Sequence, residues 1–233
     1  MPKKPLFDIS QERLKKALSR KDPAIAKQAF LEKLTHSSFS KEERTKILKA
    51  VNLLENGPYI KEKKGYTAHP IRVAMYVLNY DRETKVDAVI LALLHNIFEV
   101  IEIEPGELIR GFGQWVYEGC LTFNVDRSRQ KSDGVYLQQF YSSLKSDPRW
   151  LLIKIFDKWD NTLSLYFNPS LETRKAYLDE IEQYLIPIIP ESEQALQEIF
   201  IQLAKETRNA APIRLEDYLV QHAGSATTLK NKG

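Results

Sequence analysis

The stretch Ala88-Val89-Ile90-Leu91-Ala92-Leu93-Leu94-His95-Asn96-Ile97-Phe98-Glu99-Val100 decides how this chain is read. Together with Val86 it is apolar almost all round, the pattern of a central helix buried on most faces, so the spacing predicts one helix over 86–100. Its polar members then need an explanation. Burying an imidazole, an amide and a carboxylate costs on the order of several kcal/mol unless each finds a partner, and metal coordination is one way to supply partners. In a continuous helix His95 and Glu99, four residues apart, share a face. A satisfied core hydrogen bond is the plainer reading of His95 taken alone.

Outward from this segment, apolar residues recur at helical spacing and alternating patterns are scarce, so the fold class is all-α, a helical bundle. Ser40 and Glu43 have capping-box spacing ahead of Ile47, Leu48, Val51 and Leu54, and Asn56-Gly57-Pro58 ends that helix. His69-Pro70 opens another, with Ile71, Val73, Ala74, Val77 and Leu78 on its buried side. Beyond Pro105, the glycines Gly111 and Gly113 interrupt a helical pattern. The polar, glycine-bearing stretch from Asn124 to Gly134 reads as a mobile loop.

A second buried helix, 150–166, carries Asp157, Asp160, Asn161 and Ser164 as one polar stripe on an apolar element. A salt bridge or a cap would explain Asp157 alone, and explains the whole stripe less well. His69, at a helix start, is a third chemical group. Two imidazoles and a carboxylate from three helices make a site for Mn²⁺, Fe²⁺ or Zn²⁺ with positions left for water and a substrate oxygen. Further helices are expected at 171–185 and 191–207, and the tail after Ala223 reads as disordered. Cys120, Trp115 and Trp159 read as packing residues, and His36 and His222 as ordinary surface or packing groups.

These residues, taken in order, resemble the HD superfamily and in particular the hydrolase domain of the RelA/SpoT alarmone enzymes. Gly65-Tyr66-Thr67-Ala68-His69-Pro70-Ile71-Arg72-Val73-Ala74 resembles that family's glycine, tyrosine, HPxxVA motif. Leu93-Leu94-His95-Asn96-Ile97-Phe98-Glu99 falls where LLHDxxE is expected, and the run from Asp147 to Asn161 resembles DxRxxLIKLADRLHN. Phe112-Gly113 followed by Val116 fits a further landmark. The likeness covers roughly Lys46 to Pro187. It implies an HD-domain helical bundle with residues 1–40 as an N-terminal helical extension, 41–190 as the hydrolase-like domain, and 191–233 as a C-terminal helix and tail on the same domain. The chain leaves no room for the synthetase domain of the long family members, so a small stand-alone hydrolase-like protein is expected.

The resemblance implies His69, His95, Asn96 and Asp157 as metal ligands, with Mn²⁺ as the cofactor. It places Glu99 where the family has the acid that orients water. Asn161 and Ser164 fall at positions that approach the nucleotide, and Lys61 and Lys64 lie in a loop that faces phosphates. The implied reaction is metal-assisted hydrolysis of a nucleotide pyrophosphate or phosphate ester, by analogy the 3′-pyrophosphate of ppGpp. Three positions depart from the pattern: Asn96 stands for aspartate, Val100 for a second acid, and Asp160 for a histidine. Losing a negative charge from the ligand set weakens cation binding. These departures favour a rival in which the fold binds a nucleotide or a protein partner without turnover, and a purely structural helical protein is a second rival.

Composition excludes other classes. With 43% apolar and 28% charged residues the chain can bury one sizeable core. No apolar run approaches the ~20 residues of a membrane span. A net charge of +3 is far from the basic stripe of a polynucleotide binder. The local basic clusters, Lys61 with Lys63 and Lys64 and Arg127 with Arg129 and Lys131, suit a small phosphorylated ligand or a solvated surface. The single cysteine allows no internal disulfide, and no signal-peptide pattern is seen, so the expected location is the cytoplasm.

Overall fold

The computed structural model describes residues 7–60, 66–80 and 85–224, and among these it is all-α, with no strand. The helices are α1 (Ile9–Lys21), α2 (Pro23–Thr35), α3 (Lys41–Asn56), α4 (Ala68–Tyr80), α5 (Val86–Leu94), α6 (Ile97–Val100) and α7 (Pro105–Phe112). They continue as α8 (Gln114–Phe123), α9 (Arg127–Gln130), α10 (Gly134–Ser143), α11 (Pro148–Leu165), α12 (Leu171–Glu180), α13 (Gln194–Asn209) and α14 (Leu215–Gln221). None of the described helices is long and apolar enough to cross a membrane. The expected tail disorder and the Lys61 to Lys64 cluster lie outside the described residues. The contacts group the chain into two compact units, residues 23–157 and residues 1–22 with 158–233, and the boundary falls inside α11.

In the first unit the local rules of the sequence operate as expected. Ser40 accepts from the Glu43 amide, while Glu43 reaches back to the Ser40 amide at 2.8 Å, so both ends of the capping box are made. Gly57 then ends α3. Pro70 sits in the first turn of α4, where its missing N–H costs nothing. Gly113 separates α7 from α8 with φ +101°, a backbone region that disfavours any side chain. Residues 88–94 are all buried, as the continuous apolar run requires, and α3, α4 and α8 pack around α5.

Gly119 permits the close approach of α8 to α5. A Cβ there would stand 2.4 Å from one Leu91 methyl, 2.8 Å from the other and 3.0 Å from Trp150 Nε1. Gly119→Ala is therefore expected to destabilise the fold by about 1–3 kcal/mol through overpacking. Urea denaturation measures this. An unchanged midpoint would mean that Leu91 and Trp150 repack freely.

Two expectations are corrected by the structure. The helix predicted over 86–100 is not continuous: α5 stops at Leu94, His95 and Asn96 form a turn, and α6 follows. The reason is local competition for carbonyls. The His95 ring nitrogen Nδ1 bonds the Ala92 carbonyl at 2.7 Å, and the Cys120 thiol bonds the Leu94 carbonyl at 3.4 Å, so the orphan acceptors at the end of α5 are met by side chains. Burial pushes that thiol's pKa up, which suits a packing role for Cys120. The Asn124–Gly134 segment, read as a loop, is in part helical, since it contains α9. Asp126 caps α9 through the Ser128 and Arg129 amides, and Arg129 pairs with Asp133 at 2.8 Å.

The second unit is built on α1, the later part of α11, and α12 to α14. Trp159 is fully buried, 5.3 Å from the Phe7 ring and 5.8 Å from that of Phe200. Lys16 and Asp160, both buried, form an ion pair between α1 and α11. Lys158 pairs with Glu180 at 2.7 Å, and Arg174 donates to the Ala210 carbonyl at 2.8 Å and to that of Thr207, closing the end of α13. The helix expected over 171–185 is seen as α12 continued by a wider π turn, Ile181–Leu185.

Candidate metal centre

Three of the sequence-selected residues converge within the first unit. His69 from the first turn of α4, His95 from the end of α5 and Asp157 from α11 each offer a ligand atom within 4.8 Å of the others. His69 Nε2 lies 3.1 Å from Asp157 Oδ1, and His95 Nε2 lies 3.6 Å from the same oxygen, beyond hydrogen-bonding distance. The two imidazoles meet edge to face with centroids 5.2 Å apart. His95 is fully buried and Asp157 nearly so, whereas the His69 side chain is 16% exposed and marks the open side.

The protonation pattern suits a cation. Because His95 Nδ1 donates to a backbone carbonyl, Nε2 carries the lone pair, and this buried atom makes no hydrogen bond. A buried acceptor left without a donor is the observation that fits a metal ion best, since a core histidine would be satisfied on both sides. Burial first, then the neighbouring His69 and Lys154, push the His95 pKa down against the pull of Asp157, so the ring stays neutral and able to ligate. Burial opposes ionisation of Asp157, but the Lys154 charge and then the hydrogen bond with His69 outweigh it and hold the carboxyl well below the usual carboxylate range.

The remaining predicted residues are placed as follows. Asn96 follows His95 in the turn, beside the Tyr66 phenol. That phenol's pKa is raised, by burial first and then by the carboxylates of Glu99 and Asp157. Glu99 lies on α6, and Arg127 grips both its oxygens: Nη2 donates at 2.7 and 2.9 Å and Nε at 3.3 Å. Position 100 is a fully buried valine. Asn161 and Ser164 follow Asp157 by one and two turns of α11, half-buried, within the second unit. Lys61 and Lys64 are outside the described residues.

Sequence reasoning missed three participants. Lys154 donates to Asp157 Oδ2 at 3.0 Å from within the core. Its signal was present, as a lysine in the apolar run Ile153-Lys154-Ile155 at i,i+3 spacing from the aspartate. Tyr66 was seen only as part of a motif. Arg127 was assigned to a loop, and its pairing with Glu99 spans 28 residues, which no local pattern encodes.

No family model matches the chain. Over 154 residues, 63% of this chain, it is 25% identical to the guanosine-3′,5′-bis(diphosphate) 3′-pyrophosphohydrolase of Borreliella burgdorferi. The chain spans about a quarter of that relative's length, 23%. This distant likeness supports the resemblance to the RelA/SpoT hydrolases drawn from the motifs.

Proposed function

We propose that this chain is a metal-dependent phosphohydrolase acting on a nucleotide pyrophosphate or phosphate ester, with the 3′-pyrophosphate of guanosine-3′,5′-bis(diphosphate) as the substrate suggested by resemblance. The single observation that carries the proposal is the buried, unpartnered His95 Nε2 facing His69 and Asp157. His69, His95 and Asp157 would hold the ion, with the Asn96 oxygen as a neutral fourth donor, and Mn²⁺ suits such a mixed nitrogen and oxygen set. A bound divalent cation supplies charge that polarises a phosphoryl oxygen and acidifies water.

The chain's own residues do the rest. The Ala92 carbonyl fixes the His95 tautomer, so no proton has to leave Nε2 before it can donate. Glu99 accepts the proton of the attacking water. Arg127 orients its carboxylate without exhausting it, because Oε1 accepts a single bond and keeps a second lone pair. Lys61 and Lys64 neutralise phosphates, and Asn161 and Ser164 bind the sugar or base, on the strength of the resemblance alone. The cytoplasm is the proposed location, from the single cysteine, which allows no internal disulfide.

A second reading is favoured by Asn96 and Val100. With a neutral ligand at 96 and no second acid at 100, the fold would bind a nucleotide or a partner without turnover. Asn96→Asp separates the two. The added charge is expected to tighten Mn²⁺ binding about tenfold. Pyrophosphate release from guanosine-3′,5′-bis(diphosphate) with Mn²⁺ is the assay. Turnover by the native chain, changed little in the variant, supports the hydrolase. Turnover only in the variant supports the binding module.

A further inference from the structure

Lys154 lies in the core, three residues before Asp157 on α11, and donates to Asp157 Oδ2 at 3.0 Å. Its ammonium also stands 4.7 Å from the centroid of the Phe123 ring and 5.5 Å from that of Phe140, so two aromatic faces border the charge. Phe123 also meets the His95 ring edge to face with centroids 6.4 Å apart, so one ring borders both the ammonium and a candidate ligand. Packing alone does not call for a cation here. An alkyl side chain would fill the same space without the cost of desolvating an ammonium. The consequence is a division of the carboxylate: Oδ2 belongs to Lys154, while Oδ1 faces His69 at 3.1 Å and His95 at 3.6 Å.

We propose that Lys154 is a positioning residue that restricts Asp157 to a single metal-donor oxygen and, by its charge, weakens the site's hold on the cation. This rests on the reading of the cluster as a divalent-metal site. An unrestrained carboxylate can close on an ion with both oxygens. One with an oxygen pinned offers the other alone, which keeps positions open for water and a phosphoryl oxygen. Charge acts in the same direction. An imidazole ligates through a lone pair and so is neutral when it does; with Asn96 neutral and the carboxylate balanced by Lys154, these ligands present no net negative charge to the ion. The site is thereby biased toward open coordination over tight retention.

The test uses the full chain titrated with Mn²⁺ alone by calorimetry and loaded with Co²⁺ alone for visible absorption, whose intensity falls as coordination number rises. In Lys154→Met, Mn²⁺ binding is expected to tighten about tenfold, with a weaker Co²⁺ band, while Lys154→Arg, which keeps charge and donor, retains the native values. Lys154→Gln, a neutral donor, serves if the methionine variant does not fold, and it too is expected to bind Mn²⁺ more tightly. Unchanged or weaker Mn²⁺ binding with an unchanged Co²⁺ spectrum in the folded neutral variants overturns the positioning role and leaves the metal-site reading standing. A native chain that binds neither ion overturns both.

Discussion

His95→Gln is expected to weaken Mn²⁺ binding by on the order of 100-fold or more and to remove metal-dependent hydrolysis with it. Even residues that only support a ligand are worth about 10–100-fold in metal affinity, and His95 supplies a donor atom itself. Its Nε2 is buried, neutral and aimed at Asp157 Oδ1, a combination that a glutamine amide cannot reproduce. The substitution keeps much of the side-chain volume, so the core around Phe123 should survive, and a thermal melt verifies this. Asp157→Asn is expected to lose the ion to a similar extent while preserving shape. Calorimetric titration with Mn²⁺ decides the matter. Undiminished binding in either folded variant would remove the cluster as the ion's site and with it the proposed mechanism.

Asp160→Ala is expected to cost about 3–5 kcal/mol of folding stability, the usual consequence of removing one partner from a buried ion pair. Asp160 is fully buried and Lys16 is 3% exposed, so the variant would leave an ammonium in the core without that carboxylate. The double variant Lys16→Met/Asp160→Leu removes both charges and should recover most of the loss, because desolvation of the pair offsets much of its attraction. Urea denaturation of these two variants against the native chain measures the loss and its recovery. A single-variant loss below about 1 kcal/mol would place the pair among interactions that water screens. The pair also gives a physical account of one departure from the motif pattern: the acid at 160 has a buried lysine from α1 as its counter-ion.

Most of the helices were legible because their signals are local. The capping box of Ser40 and Glu43, the stop at Gly57, the proline in the first turn of α4 and the corner at Gly113 each depend on a few neighbouring residues. The break at His95 was not legible. The apolar run continues across it, and periodicity cannot register a ring nitrogen that takes a carbonyl from the helix. The ordered turn of α9 was missed for a similar reason, since a polar composition says little about whether Asp126 will cap and Arg127 will pair.

By itself, the sequence determined the all-α class, the buried character of α5 and α11, and the residue types able to bind a cation, since burial and spacing restrict these along the chain. Burial and spacing put forward His69, His95 and Asp157 as one candidate ligand set, and the resemblance of the motifs added Asn96. Only the tertiary structure decided that three residues so far apart in the chain lie with their donor atoms within 4.8 Å, that His95 presents Nε2, that Lys154 takes one oxygen of Asp157 and that Arg127 takes hold of Glu99. The physical reason is that a side-chain pattern reports the surroundings a residue needs, whereas coordination, tautomer and ion pairing depend on small differences in distance between segments that only packing brings together.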